Sequence, residues 1–376
     1  MGDATRGLTA YRISDPEIEK AIEGRFNVHD SYFYLCTPTY IVTPIGPQNS
    51  MKPQFKALVE GIRPHGYLPW LSKDMDRFKL ELKRIRERGP QSYRNSIFLF
   101  LATTATVFLD GYLRSNNPVL NQILMPDTPV YMNALMFTVA IIAIFGLHEL
   151  GHKVAMILIG VDASMPYFIP APPGMGGTLG AVITQKGPLT NRDALFDLGF
   201  SGPLVGFIVT IIVAIVGINL SFVVTLEEVN RWSVMFPGIR FQSLPFPMFL
   251  EWLSTFLKPV SEDMTILLHP VSFAAWVGSL VTFINLIPSW QLDGGHISRA
   301  LLGKSNHKKM SIAGVFILIL SGFFVMAVMV TLFMKYTGNR GNSPLDDISP
   351  LSNSRKLLVF FYLGMMITTL VVLAPL

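Results

Sequence analysis

The sequence predicts an α-helical polytopic membrane protein, with about six transmembrane helices and a membrane-associated β-strand or hairpin segment, preceded by a small N-terminal α+β soluble domain. Three observations carry that prediction. Half of the 376 residues are hydrophobic, 15% are charged and the mean hydropathy is +0.44, whereas soluble domains carry about 25% charged residues. Apolar runs close to the ~20 residues that a bilayer requires recur from Ile97 onward. The residues before about 94 contain no such run and show shorter strand-like and helix-like patterns.

Residues 1–94 are therefore expected to form the soluble domain. Thr39–Ile45 reads as a β-strand. Lys52–Ile62 reads as a helix, with Phe55, Leu58, Val59 and Ile62 at helical spacing, Tyr67–Trp70 as a short strand or turn, and Asp74–Arg88 as a second, basic helix. Lys83, Arg84, Arg86, Arg88 and Arg94 form a basic cluster beside the first apolar run, suited to anchoring topology and touching anionic lipid headgroups. The single cysteine, Cys36, excludes an internal disulfide framework and any cysteine-based zinc site. No cleavable signal peptide is expected, because the first insertable segment begins near Ile97. Asp3, Asp15, Glu17 and Glu19 argue against an acidic-poor transit peptide.

Residues 95–376 are expected to form the polytopic domain, with spans at roughly 96–113, 131–158, 195–220, 271–288, 311–334 and 357–375. The net charge of +5 is small, and the Lys and Arg residues gather at span edges, which points to topology and away from a nucleic-acid partner. The basic cluster puts the N-terminal domain in the cytosol, and the segment 289–310, with Arg299, Lys304, Lys308 and Lys309, falls on the same side. The loop 335–356 runs against this count, since it carries Lys335, Arg340, Arg355 and Lys356 on the opposite side. The loop 221–270 is rich in aromatics and proline, as suits short amphipathic segments on a membrane interface. Gly199, Gly202, Pro203 and Gly206 in the third span permit close helix approach, and packing is the preferred explanation for them. Asp110, four residues from Arg114, reads as interfacial, and Asp197 as a polar contact inside the bundle.

Met165–Gln185 cannot be helical, because Pro166, Pro170, Pro172 and Pro173 interrupt it and four glycines follow. Thr178–Ile183 has strand character. It offers either an open edge to which an extended peptide adds as a strand, or an ordinary cytosolic hairpin.

The chemistry lies in His148-Glu149-Leu150-Gly151-His152, set within an apolar run. Histidines four apart on a helix project from one face, where both imidazoles can bind one Zn²⁺. The intervening Glu149 is placed to take a proton from the water that such a metal activates. Ionisable residues inside a membrane are costly and mark function by default. A catalytic zinc normally has three protein ligands. Asn285-Leu-Ile-Pro-Ser-Trp-Gln-Leu-Asp-Gly-Gly-His296 contains a candidate third, Asp293, on a Pro288-broken segment beside two glycines. On its own Asp293 reads equally as the cap of a helix starting at His296; beside the histidine pair the ligand reading is preferred.

These two segments, in this order, resemble the paired HExxH and NxxPxxxxDG signatures of the site-2 protease family of intramembrane zinc metalloproteases. The resemblance covers roughly residues 130–300 and extends to Gly160–Ser164, Phe168–Pro173, Asn191–Asp197 and Gly202-Pro203. It is closest to the branch without a PDZ domain, as in chloroplast and archaeal relatives, because the 221–270 loop is too short for one and the soluble domain comes first. The resemblance implies one zinc ion per chain held by His148, His152 and Asp293, and Glu149 as general base. Asn285 then either hydrogen-bonds the substrate carbonyl or oxyanion, or joins two helices. His296 receives no role. The implied activity is endoproteolysis in or near transmembrane segments of other membrane proteins. The implied catalytic core is 130–300; the opening is expected on the cytosolic side by the charge pattern, with a prokaryotic cell membrane as the default and an organelle membrane as the alternative. A secondary transporter, which would not need Glu149, a catalytically silent zinc-binding scaffold, and a zinc peptidase with a glutamate third ligand are the competing expectations. No oligomeric state is specified.

Overall fold

The computed structural model describes residues 15–35, 37–46, 51–85, 93–174, 176–337 and 343–372. Asp3, Cys36, Arg86, Arg88, Arg340 and the end of the sixth predicted span lie outside them. The chain is mostly helical and divides into two compact units.

The first unit holds α1 (Pro16–Glu23), β1 (Phe26–Tyr34), β2 (Thr37–Pro44), α2 (Met51–Ile62), β3 (Tyr67–Asp74) and β4 (Arg77–Arg84). The strands form one antiparallel sheet in the order β1-β2-β4-β3. Phe55, Leu58, Val59 and Ile62 of α2 are all buried against Ile18, Ile22, Leu71, Leu80 and Leu82. Within the basic helix expected over Asp74–Arg88, residues 77–84 are instead the second arm of a β-hairpin. The sequence Arg-Phe-Lys-Leu-Glu-Leu-Lys-Arg alternates, and its Leu80 and Leu82 are buried. That period of two outweighs the charge density that suggested a helix. On the other face Glu81 pairs along β4 with Lys79 at 2.7 Å and Lys83 at 3.5 Å, and Lys83 reaches across to β3, 4.3 Å from the Trp70 ring centre.

Two later segments complete this unit, residues 187–195 and 343–352. Leu71 N–H on the sheet edge donates to Leu345 C=O (2.8 Å), and Leu345 N–H donates to Leu189 C=O (2.8 Å). Lys52 donates to the Asp193 carboxylate (3.0 Å) and to Pro350 C=O (2.7 Å). Residues 343–352 of the 335–356 loop thus belong to the same compact unit as the N-terminal sheet.

The second unit is the larger. It holds α3 (Arg94–Ser115), α4 (Val130–Ile159), β5 (Tyr167–Pro170), β6 (Thr178–Val182), α5 (Arg192–Leu220, after its first residues), β7 (Phe222–Thr225), α6 (Leu226–Met235), α7 (Met248–Leu257), β8 (Met264–Leu267), α8 (Pro270–Leu286), α9 (Asp293–Leu320), α10 (Phe324–Thr337) and α11 (Asn353–Thr368). Among the described residues three helices, α3, α4 and α5, are long and apolar enough to cross a membrane. The predicted fifth span, 311–334, is not one helix. It breaks at Gly322, which takes φ +84°. Phe323 N–H bonds Leu318 C=O and Gly322 N–H bonds Ile319 C=O, the Schellman arrangement that ends a helix. Beyond it α10 turns back along α9. Leu318, Ala327 and Val330 share one core, and Ser289 meets both Ser311 and Met334. The expected span is thus two helices packed on each other.

The β5–β6 hairpin runs alongside α3. Phe168 packs edge-on against Phe100 with ring centres 5.2 Å apart, and Thr106 donates to Gly177 C=O (2.7 Å) at the hairpin turn. It therefore packs along a helix that is long and apolar enough to cross a membrane. The 221–270 region forms a two-stranded β7–β8 ribbon with α6 and α7, and a Thr225–Glu228 capping box starts α6.

Candidate metal centre

His148 and His152 sit one turn apart on α4, an uninterrupted helix of 30 residues that Gly160 ends in the left-handed conformation. Asp293 opens α9. Before it, α8 stops at Leu286, where Pro288 denies the helix a donor, and the chain turns through Trp290 at φ +47°. Gly294 and Gly295 then press against the backbone carbonyls of Leu286 and Trp290, so closely that a Cβ on either would overlap them. Glycine is required there because the start of α9 tucks into the end of α8. Tyr362 of α11 donates to Leu286 C=O (2.8 Å). Ser311 holds the other side of the turn, its hydroxyl accepting from Trp290 N–H (3.1 Å) and its carbonyl from the Ser289 hydroxyl (2.8 Å).

This folding brings together the three predicted donors. His148 Nε2 and His152 Nε2 lie 3.2 Å apart, and each lies 3.3 Å from an oxygen of the Asp293 carboxylate. Among the described residues this is the one cluster of three such groups whose donor atoms converge. A tetrahedron with zinc–nitrogen and zinc–oxygen arms of 2.0–2.1 Å has edges of about 3.3 Å. His148 faces Oδ2 and His152 faces Oδ1, so each imidazole stands about one such edge from its own carboxylate oxygen and from the other imidazole, and two imidazoles with a carboxylate are a donor set zinc accepts. His152 Nδ1–H donates to Leu198 C=O at 2.8 Å, which leaves Nε2 as the ligand nitrogen. The residues fit the metal.

The glycines of α5 form the back wall. A Cβ at Gly202 would overlap the His152 ring, one at Gly206 would stand 2.8 Å from His148 Nδ1, and one at Gly199 would stand 2.6 Å from Asp293 C=O. Helix packing was the preferred explanation of these residues; what α5 packs against here is the donor set itself. Glu149 is buried on the same turn, with the backbone of Ile183, just past β6, against its carboxylate. Asn285 Nδ2 stands 3.5 Å from His148 Nε2, which puts the side chain at the rim of the donor cluster and also between α8 and α4. His296 is not among the converging donors. Asp197 forms a two-point pair with Arg355 (2.7 and 2.6 Å) that joins α5 to α11. Asp110 is buried and holds Arg114 and the Gly174 backbone, which is more than an interfacial role. The Leu198 carbonyl was out of reach of sequence reasoning because any residue type supplies one.

The chain is 27% identical over 317 residues to "Probable zinc metalloprotease EGY1, chloroplastic" of Arabidopsis thaliana, covering 78% of this chain and 56% of that one. It is 28% identical over 214 residues to the Arabidopsis "Probable zinc metalloprotease EGY2, chloroplastic", covering 56% of this chain and 35% of that one. To "Probable zinc metallopeptidase EGY3, chloroplastic" of Arabidopsis it is 22% identical over 290 residues, covering 73% and 48%. The chain thus spans between about a third and just over half of these relatives' lengths. No solved structure matches it. The family model described as Peptidase family M50 matches residues 136–329, just over half of the chain, from within α4 to within α10. With both signature segments inside that match and their donor atoms converged, the chain belongs to peptidase family M50, the site-2 protease family its motifs resemble.

Proposed function

We propose that this chain is an intramembrane zinc metalloendopeptidase that hydrolyses peptide bonds in or near transmembrane segments of other membrane proteins. The observation that carries the reading is the convergence of His148, His152 and Asp293, whose donor atoms lie within 4.8 Å of one another, on and beside a helix long and apolar enough to cross a membrane that also bears Glu149. A zinc ion held by these three side chains supplies Lewis acidity, polarising a carbonyl and acidifying water. Glu149 takes the proton of the attacking water and delivers it to the leaving amine. Asn285, at the rim of the cluster, donates its amide N–H to the oxyanion that develops on the scissile carbonyl. The hairpin strand β6 accepts an extended substrate segment at its outer edge. A helical substrate hides its peptide bonds, so pairing as a strand exposes them to the metal centre.

In this reading α3, α4 and α5 cross the membrane, α8 and α11 complete further crossings, and α9–α10 return as a hairpin. The N-terminal unit and the opening to the zinc lie on the cytosolic side, supported by the basic residues Lys83, Arg84, Arg299, Lys304, Lys308 and Lys309.

The test is cleavage of a purified single-span substrate in liposomes by the wild type and Glu149→Gln, with bound zinc measured in both. Proteolysis predicts that the wild type cuts, that a chelator stops it, and that the variant keeps zinc and loses cutting. Zinc in both proteins with no cutting of a panel of substrates would leave a silent scaffold. Absence of zinc from the wild type would sink the metal assignment.

A further inference from the structure

Asp110 is a buried carboxylate that the mechanism above does not use. It lies in the membrane-crossing helix α3 with 2% of its surface exposed. Its Oδ2 accepts from Arg114 Nε (2.9 Å), and its Oδ1 accepts from the backbone N–H of Gly174 (2.5 Å). Arg114 Nη2 donates to the C=O of the same residue, Gly174 (3.2 Å). The guanidinium carbon lies 3.8 Å from the ring centre of Phe273 on α8. An ion pair one helical turn apart thus grips both polar groups of a single residue in the β5–β6 turn. One turn back on α3, Thr106 donates to Gly177 C=O (2.7 Å). Gly177, at φ +73°, lies so near α3 that a Cβ would stand 2.5 Å from Val107 Cα. The turn is therefore tied to α3 at two levels.

The strand that follows is held at its other end as well. Gly180 packs on the Phe145 ring of α4, and the backbone of Ile183 lies against Glu149. Between these points β6 has β5 on one edge and no strand on the other among the described residues. Leu179 and Val182 are exposed, at 62% and 51%.

We infer that the Asp110–Arg114 clasp is a positioning device: by fixing the tip of the hairpin on α3 it sets where β6 stands along the membrane normal, and so which peptide bond of a β6-paired substrate reaches the metal centre. The inference rests on the proteolytic reading and specifies its site selection. A strand advances about 3.4 Å per residue, and a slip of one residue turns every paired side chain to the other face. A loosened tip therefore shows itself as cleavage displaced by whole residues.

The experiment uses the full chain, wild type and Asp110→Asn, with Thr106→Val as a milder variant that removes one tip bond and leaves the ion pair. Three quantities are read: zinc content, amide hydrogen exchange of peptides covering 171–183, and the masses of the products from a single-span substrate. The expected result is unchanged zinc, exchange at least tenfold faster confined to the hairpin, and product termini spread by one or two residues from the wild-type cut. Unchanged exchange in both variants overturns the clasp. Faster exchange with an unchanged cut position overturns its role in site selection and leaves it a structural tie. A wild type that holds zinc and cuts nothing sinks the proteolytic reading, and the site-selection role with it, while the exchange data still decide the clasp.

Discussion

Gly202→Ala isolates the coupling between helix packing and metal affinity. The added Cβ would fall inside van der Waals contact with three atoms of the His152 imidazole, Nε2 among them. The ring cannot absorb this in place, because its Nδ1–H is fixed on Leu198 C=O at 2.8 Å, four residues from Gly202 on the same helix. The neighbouring Gly206 gives a graded comparison: its Cβ would stand 2.8 Å from His148 Nδ1, 0.6 Å short of an ordinary 3.4 Å contact. Metal–donor distances tolerate about ±0.2 Å. A retreat three times that size weakens His148 as a ligand, and the larger overlap at Gly202 displaces His152. Disturbing the support of a ligand typically costs 10–100-fold in affinity. The expected outcome is about tenfold weaker zinc for Gly206→Ala and about 100-fold weaker for Gly202→Ala, or roughly 1.4 and 2.8 kcal/mol. The assay is competition with a chromogenic chelator in detergent at fixed pH. Gly217→Ala is the control. Its Cβ would stand 2.5 Å from Ser272 N, and its place lies about 22 Å further along α5. It should lower the unfolding temperature and leave zinc affinity alone. Wild-type zinc affinity in Gly202→Ala, or an equal loss in Gly217→Ala, would refute the argument.

Tyr362→Phe removes the donor to Leu286 C=O at the turn that carries Asp293. It should cost about 1 kcal/mol of stability and weaken zinc by up to tenfold, read by thermal denaturation and chelator competition on the same samples. Asp197→Asn breaks the two-point pair with Arg355. With both side chains about a third exposed, thermal unfolding should register a loss of about 1 kcal/mol or less with zinc content unchanged. Glu81 sits below its ordinary value of 4.5: burial raises it, but hydrogen bonds and charge from Lys79, then Lys83, outweigh that. Its contribution to the N-terminal sheet should be full above about pH 4.5 and be lost as pH falls through the lower folded value. Hydrogen exchange of residues 67–84 should accelerate on that acid limb, and Glu81→Gln should flatten it.

What the sequence disclosed best is what depends on spacing along one element. His148 and His152 are one turn apart on any helix, and their convergence follows from α-helical geometry alone. Asp293 was legible because Pro288 and two glycines announce a break. Phe55, Leu58, Val59 and Ile62 gave the buried face of α2 for the same reason as the histidines. The misreadings came where two local signals competed. In β4 the charges of Arg77 to Arg84 drew attention from the alternation of Leu80 and Leu82. In 311–334 overall hydropathy concealed Gly322, whose left-handed conformation ends α9 and starts a return. Other parts of the site are tertiary in origin. The Leu198 carbonyl and the Gly174 amide belong to backbone that any sequence provides, and only the folded chain shows which backbone groups meet His152 or Asp110.

The bond between Leu71 and Leu345 has a bearing on how the chain is made. A growing polypeptide emerges from its N-terminal end, and β3 is synthesised long before the residue that covers its edge. Until residue 345 arrives the sheet presents a bare edge, open to pairing with any extended strand nearby. Closing that edge therefore waits until nearly the whole chain has been made, and the sheet is complete only when its last segment has joined it.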